Sequence, residues 1–215
     1  MTTFEWIKER KIIAIVRNLK SEYMLKLADA LYIGGIDLIE ITFNQNDPAS
    51  WEVTAEAIKV IGKHMEGKML VGAGTVITEE QLDMTKKAGA KFIITPNTNP
   101  DLIRKVKVYG LVSIPGAFTP SEIETAWEAG ADMVKVFPAG NLGPSYIKAV
   151  KAPLSHIPLM AVGGVNEKNT ADFIAAGCCG VGVGGNLVNK NRIENDEWDK
   201  IIALAVEFRK AVEMK

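Results

Sequence analysis

Short runs of Val, Ile and Leu alternate along the chain with longer stretches in which apolar residues recur at helical spacing. The runs predict strands at 12–16, 37–42, 69–74, 91–95, 111–115, 132–137, 159–163 and 180–184. Helical spacing falls near 20–33, 49–63, 78–88, 99–108, 119–129, 144–151, 166–176 and 196–213. Near-continuous apolar strands separated by helices predict a parallel sheet covered on both faces. Eight such units, with an extra N-terminal helix, predict a single α/β domain over residues 1–215: a (β/α)8 barrel of the TIM type. A doubly wound open sheet is the rival, because periodicity does not report whether a sheet closes.

A weak internal repeat supports the barrel. GGIDLIEIT, AGAKFIIT, AGADMVKVF and AGCCGVGV each run from a small-residue helix end through a glycine into a strand. The glycine is expected just past the helix, where a positive φ is required. Helix starts are marked by Thr78-Glu79-Glu80, Thr119-Pro120-Ser121-Glu122 and Asn166-Glu167.

Alternate residues of a strand share a face, and that rule isolates polar residues that break the apolar pattern. Ile13, Ile15 and Arg17 line up, as do Leu38, Glu40 and Thr42; Val71, Ala73 and Thr75; and Met133, Lys135 and Phe137. Each series starts apolar and ends polar or next to a polar residue, and barrel active sites lie at the C-terminal ends of the strands. Lys135, inside Met-Val-Lys-Val-Phe-Pro, is either a rim lysine that snorkels to water or a desolvated amine with a lowered pKa, fit to act as a nucleophile. Glu40, inside Leu-Ile-Glu-Ile-Thr, is either its structural ion-pair partner or a general acid/base. Arg17 suits an anionic substrate group, and Thr75, after what reads as a tight Gly-Ala-Gly turn, suits a hydrogen bond to it. Gly163-Gly164 and Gly184-Gly185 follow the seventh and eighth strands, the recurrent phosphate position of such barrels.

Composition narrows the choice of ligand. Lys plus Arg (25) balance Asp plus Glu (26), so no basic field points to nucleic acid or an anionic membrane, and an anion must be held by a local site. Nowhere is there an apolar run long enough for a span, and the N-terminus carries no signal-peptide pattern. The two cysteines, Cys178 and Cys179, are neighbours in a strand context and ill-placed to bridge, which fits a reduced, cytoplasmic setting. His64 and His156 stand apart in polar surroundings, and no ligand spacing predicts a metal. Trp51, Trp127 and Trp198 lie on helical stretches and are expected to pack against the sheet or a subunit.

The segments IIAIVR, GGIDLIEITF, GAGTV, FIITPN, PGAFTPSE, VKVFPA, VGGV and GVGGNLV stand in the order found in the 2-keto-3-deoxy-6-phosphogluconate (KDPG) aldolases. The chain resembles these class I bacterial enzymes, also called 4-hydroxy-2-oxoglutarate aldolases, from about residue 10 to 190. The 6-phosphogalactonate aldolases are close relatives. The resemblance implies a homotrimer of barrels, no metal or other cofactor, and cleavage of a phosphorylated keto acid to pyruvate and glyceraldehyde 3-phosphate. It implies that Lys135 forms the Schiff base and Glu40 is the general acid/base. Arg17, Thr75, Pro96 and Phe137 would shape the substrate pocket, and Gly163, Gly164, Gly184 and Gly185 would cradle phosphate. Two positions depart from the family pattern: Asn44 stands where many members have arginine, and Gly185 where many have serine. The alternatives are 4-hydroxy-2-oxoglutarate or the 6-phosphogalactonate epimer as substrate, isomerase or synthase chemistry without a covalent lysine, and a non-catalytic trimeric scaffold.

Overall fold

In the computed structural model, which describes residues 1–213, the apolar runs become strands β1 (Ile12–Val16), β2 (Leu38–Thr42), β3 (Leu70–Gly74), β4 (Phe92–Ile94), β5 (Val112–Ile114), β6 (Gly116–Ala117), β7 (Val134–Val136), β8 (Leu159–Val162) and β9 (Gly180–Val183). All pair in parallel, in the order β5-β4-β3-β2-β1-β9-β8-β7-β6. The two ends of that row, β5 and β6, are separated in sequence only by Pro115. They are halves of one stave, split where proline has no N–H to give the ladder. Thr95 N donates to Ile114 O on one side at 3.3 Å, and Lys135 N donates to Pro115 O on the other at 2.8 Å. The row therefore closes on itself as eight staves, and the open-sheet rival is set aside.

The described residues include ten α-helices: α1 (Thr3–Arg10), α2 (Met24–Ile33), α3 (Trp51–His64), α4 (Glu79–Ala88), α5 (Pro100–Val108), α6 (Pro120–Glu128), α7 (Ala139–Lys151), α8 (Thr170–Ala175), α9 (Lys190–Glu194) and α10 (Trp198–Glu213). Capping boxes start α4 at Thr78 with Gln81 and α6 at Thr119 with Glu122. The four repeat glycines do what the pattern demands, with φ of 86° at Gly35, 84° at Gly89, 100° at Gly130 and 109° at Gly177. Asn166 does not begin a helix. It folds a turn, accepting from Lys168 N and Asn169 N, and α8 starts four residues later. α7 starts at Ala139, earlier than the expected 144, with a kink at Gly143 (φ 75°) ahead of Pro144.

The strands sort their side chains into two cores. Outward-facing Ala14, Ile39, Ile41, Val71, Ala73, Val181 and Val183 pack under the helices. Inward-facing Ile13, Ile15, Leu38, Phe92, Ile94, Ile114, Met133, Met160 and Val162 fill the lumen. The first, second and sixth predicted strand faces are borne out. The third is not: Val71 and Ala73 face the helices, and it is Gly72 and Gly74 that face inward. Nor is Gly72-Ala73-Gly74 a turn, since all three lie in β3. A Cβ at Gly72 would come within 2.2 Å of the Phe92 ring, so the bare backbone is what admits that ring to the lumen.

Helix α1 closes the N-terminal end of the barrel. Ile7 is fully buried in the lumen cluster, with Phe4 and Trp6 packed against it. Trp6 Nε1 donates to Asp37 Oδ2 at 3.0 Å, and Arg10 Nε lies 2.9 Å from the same oxygen.

Candidate active site

Eight staves place the second opposite the sixth, and these carry Glu40 and Lys135. Glu40 lies level with Ile15 and Gly72, and Lys135 level with Gly116 and Met160. Both are buried, at 1% and 3% exposure, so the snorkelling reading of Lys135 fails. Burial pushes the Glu40 carboxyl up to about 7, against the pull of the Lys135 and Arg17 charges. Burial likewise drives the Lys135 amine below the ordinary lysine range; the Glu40 charge opposes this and Arg17 adds to it. Glu40 Oε2 is buried with no hydrogen-bond partner, a costly state for an oxygen that only packs.

Room for Glu40 is made by its neighbour. A Cβ at Gly74 would stand 1.6 Å from Glu40 Oε1. Gly74→Ala is therefore expected to lower stability by about 1–3 kcal/mol and to displace the carboxyl. Thermal unfolding and kcat, read together, check this; a variant unchanged in both would mean that Glu40 is not held there.

The other candidates gather around this pair. Phe137 places its ring centroid 4.6 Å from Lys135 Nζ, so the amine meets an aromatic face. Pro96 lies against Gly116, where a Cβ would be 2.4 Å from the Pro96 carbonyl, and Gly116 pairs with Lys135. Thr75 follows β3 with a left-handed φ of 57°, unusual for a β-branched residue. It is braced by two glutamines that the sequence reading missed. Gln45 Nε2 donates to Thr75 O at 2.7 Å, and the fully buried Gln81 donates to Gln45 Oε1 at 2.9 Å.

Asn44 serves its own loop. Its side-chain oxygen accepts from Asn46 N at 3.1 Å, and its carbonyl accepts from the Trp51 indole at 2.9 Å. Arg17 is exposed at the mouth. It lines a hollow of about 290 Å³ with Phe137, Gly163, Gly164, Gly184 and Gly185, so both glycine pairs and the predicted arginine do converge. Gly163 and Gly164 have φ of 85° and 75°, and a Cβ on Gly163 would press within 3.1 Å of the Phe137 ring.

The histidines and cysteines lie elsewhere. His64 pairs with Asp29 at 2.8 Å, and His156 is exposed, with its ring 6.0 Å from that of Trp127. Among the described residues no group of three or more His, Cys, Asp or Glu could hold a metal ion. Cys178 and Cys179 are free thiols, and burial pushes Cys178 up to about 12. Trp51 and Trp198 pack into the outer core, Trp51 edge-on to Phe43 at 6.2 Å.

A closed parallel barrel with a desolvated amine opposite a desolvated carboxyl, under glycine loops, defines a barrel enzyme of the aldolase kind. The family model "KDPG and KHG aldolase" matches residues 4–204, and the chain belongs to that family of carbon–carbon lyases. It is 37% identical over 210 residues to the 2-dehydro-3-deoxy-6-phosphogalactonate aldolase of Escherichia coli K12, covering 97% of this chain and all of that one. A native KDPGal structure superposes with a TM-score of 0.84 at 38% identity, covering 94% of this chain and 96% of that one. KDPG aldolase from Legionella pneumophila, with pyruvate captured as a covalent carbinolamine, superposes with a TM-score of 0.85 at 28% identity, covering 95% and 97%.

Proposed function

We propose that the protein cleaves a 2-keto-3-deoxy-6-phospho sugar acid to pyruvate and glyceraldehyde 3-phosphate through an imine on Lys135. The observation that carries this is the opposed pair: a buried lysine and a buried carboxyl with an unpartnered oxygen, on staves that face each other. Neutral Lys135 Nζ adds to the C2 carbonyl carbon. Glu40 gives its proton to the departing hydroxyl, water leaves, and a protonated imine forms. That cation takes the electron pair of the C3–C4 bond as the Glu40 carboxylate accepts the C4 hydroxyl proton, and the aldehyde departs. Glu40 returns that proton to C3 of the enamine left behind, and water hydrolyses the imine to free pyruvate and the amine.

Arg17 and Thr75 hold the anionic and polar groups of the substrate, Pro96 and Phe137 wall the reacting carbons, and the glycines at 163, 164, 184 and 185 receive the phosphate. Fixing the phosphate fixes C2 against the lysine, a positional gain worth several kcal/mol of barrier. With Asn44 committed to its loop, recognition of the carboxylate falls to Thr75, and Arg17 stands with the glycine loops. Residues 1–215 act as one domain. The assembly is a homotrimer, for which exposed Ile33, Val53 and Val108 on the outer helices offer apolar surface to cover. The setting is cytoplasmic, in keeping with two free thiols; no described helix is long and apolar enough to cross a membrane.

A second reading takes the galactonate epimer as the preferred substrate, and the name of the 37% identical relative supports it. Pyruvate release from KDPG, its galactonate epimer and unphosphorylated 4-hydroxy-2-oxoglutarate tests both. One phosphorylated epimer is expected to exceed the unphosphorylated acid in kcat/KM by about 100-fold or more, the scale of a charge-assisted anion contact. Equal rates for all three would remove the phosphate assignment, and no pyruvate from any would remove the activity.

A further inference from the structure

The glycine loops border two hollows. The inner one, about 290 Å³, reaches Phe137 and hence Lys135; the outer one, about 330 Å³, is walled by Asn189, Lys190 and Asn191. Ile15, Arg17, Gly184 and Gly185 belong to both, so they form the partition between them.

Gly185 itself is not required by geometry. A Cβ there would meet nothing within 4 Å, and its φ is not positive. The space that a serine hydroxyl would occupy is open instead, and Gly185 borders the hollow that Lys190 lines. Among the described residues neither Arg17 nor Lys190 enters an ion pair. With a net charge of −1, the chain has no general field to draw in an anion, so two free cations on one cavity constitute a local one.

We propose that Lys190 is a specificity-determining residue that places a second positive charge, beside Arg17, on the phosphate of the substrate, where a hydroxyl at position 185 would otherwise reach. The inference rests on the phosphate assignment made above. A phosphate seated on the partition turns its inner oxygens to the glycine N–H groups and its outer oxygens to Lys190. Recognition then depends on charge more than on a fixed hydrogen-bond angle, since an ammonium on a flexible stem acts as a point charge. It should weaken as salt rises.

Lys190 is exposed, so Lys190→Ala removes the charge without opening the core. The variant is expected to raise KM for the phosphorylated keto acid about tenfold, with KM for 4-hydroxy-2-oxoglutarate unmoved. Lys190→Arg should stay near wild type, and Gly185→Ser in the Lys190→Ala background should recover part of the loss by supplying the hydroxyl. An unchanged KM for the phosphorylated acid overturns the proposal, as does an equal rise for both substrates, which would mark a structural effect. If the wild-type enzyme treats the two substrates alike, the phosphate assignment itself has failed. If it prefers the phosphorylated one and Lys190→Ala keeps that preference in full, Lys190 alone is discarded.

Discussion

Lys135→Met is expected to lower kcat by about 10⁴-fold or more and to abolish capture of pyruvate by borohydride, because the covalent path loses its only nucleophile. Methionine matches the stem of lysine and suits the surroundings, which are Met133, Met160 and the Phe137 ring. The variant should therefore fold at least as well as wild type, since removing an amine from an apolar lumen relieves a desolvation cost. Loss of activity with stability kept separates chemistry from structure. Mass spectrometry after borohydride treatment should find the pyruvate adduct on the peptide containing Lys135 in wild type and nowhere in the variant. An adduct on another lysine, or a kcat within tenfold of wild type, would remove the imine from this residue.

The second large effect is expected at Glu40. Glu40→Gln keeps shape and loses the exchangeable proton, so kcat should fall about 10²–10⁴-fold, the range for loss of a positioned acid–base group. Imine trapping should persist, only slower, because the amine is intact. The pH profile makes the role specific. Glu40 and Lys135 face each other and titrate as a pair, and the working form holds one proton between them: neutral amine with protonated carboxyl. A second proton blocks the amine. With burial lifting Glu40 to about 7, kcat/KM in wild type should fall as pH drops below about 7 and level off above it until the pair loses its remaining proton. In the glutamine variant the amine titrates without its partner, so that limb should move. A wild-type profile flat from pH 5 to 8 would remove Glu40 from proton transfer. The same titration bears on stability, with the sign fixed by linkage. A carboxyl whose pKa rises on folding contributes stability at low pH, and that contribution fades as pH climbs from 4.5 to about 7.

Much of this arrangement could be read from the chain because charge in an apolar strand is conspicuous. Lys135 and Glu40 announce themselves in that way, and the order of strands located both glycine pairs. The third strand misled for a physical reason. Alternation is read from side chains, and Gly72 and Gly74 have none, so Val71 and Ala73 took the inward face by default. Only the finished lumen shows that Phe92 and Glu40 occupy the vacated space. The Gln45–Gln81 brace was equally hidden, since two amides 36 residues apart carry no pattern until the fold joins them. Lys190 sits on a helix of five residues, too short for periodicity to reveal and too exposed to look out of place. Closure of the sheet depended on Pro115, a residue that splits one stave without displacing it.

The plug formed by Phe4, Trp6 and Ile7 makes the barrel a vessel with one opening. Substrate, aldehyde, pyruvate and water all use that opening, so every arrival at Lys135 and every departure from it passes the rim that Arg17 and the glycine loops border.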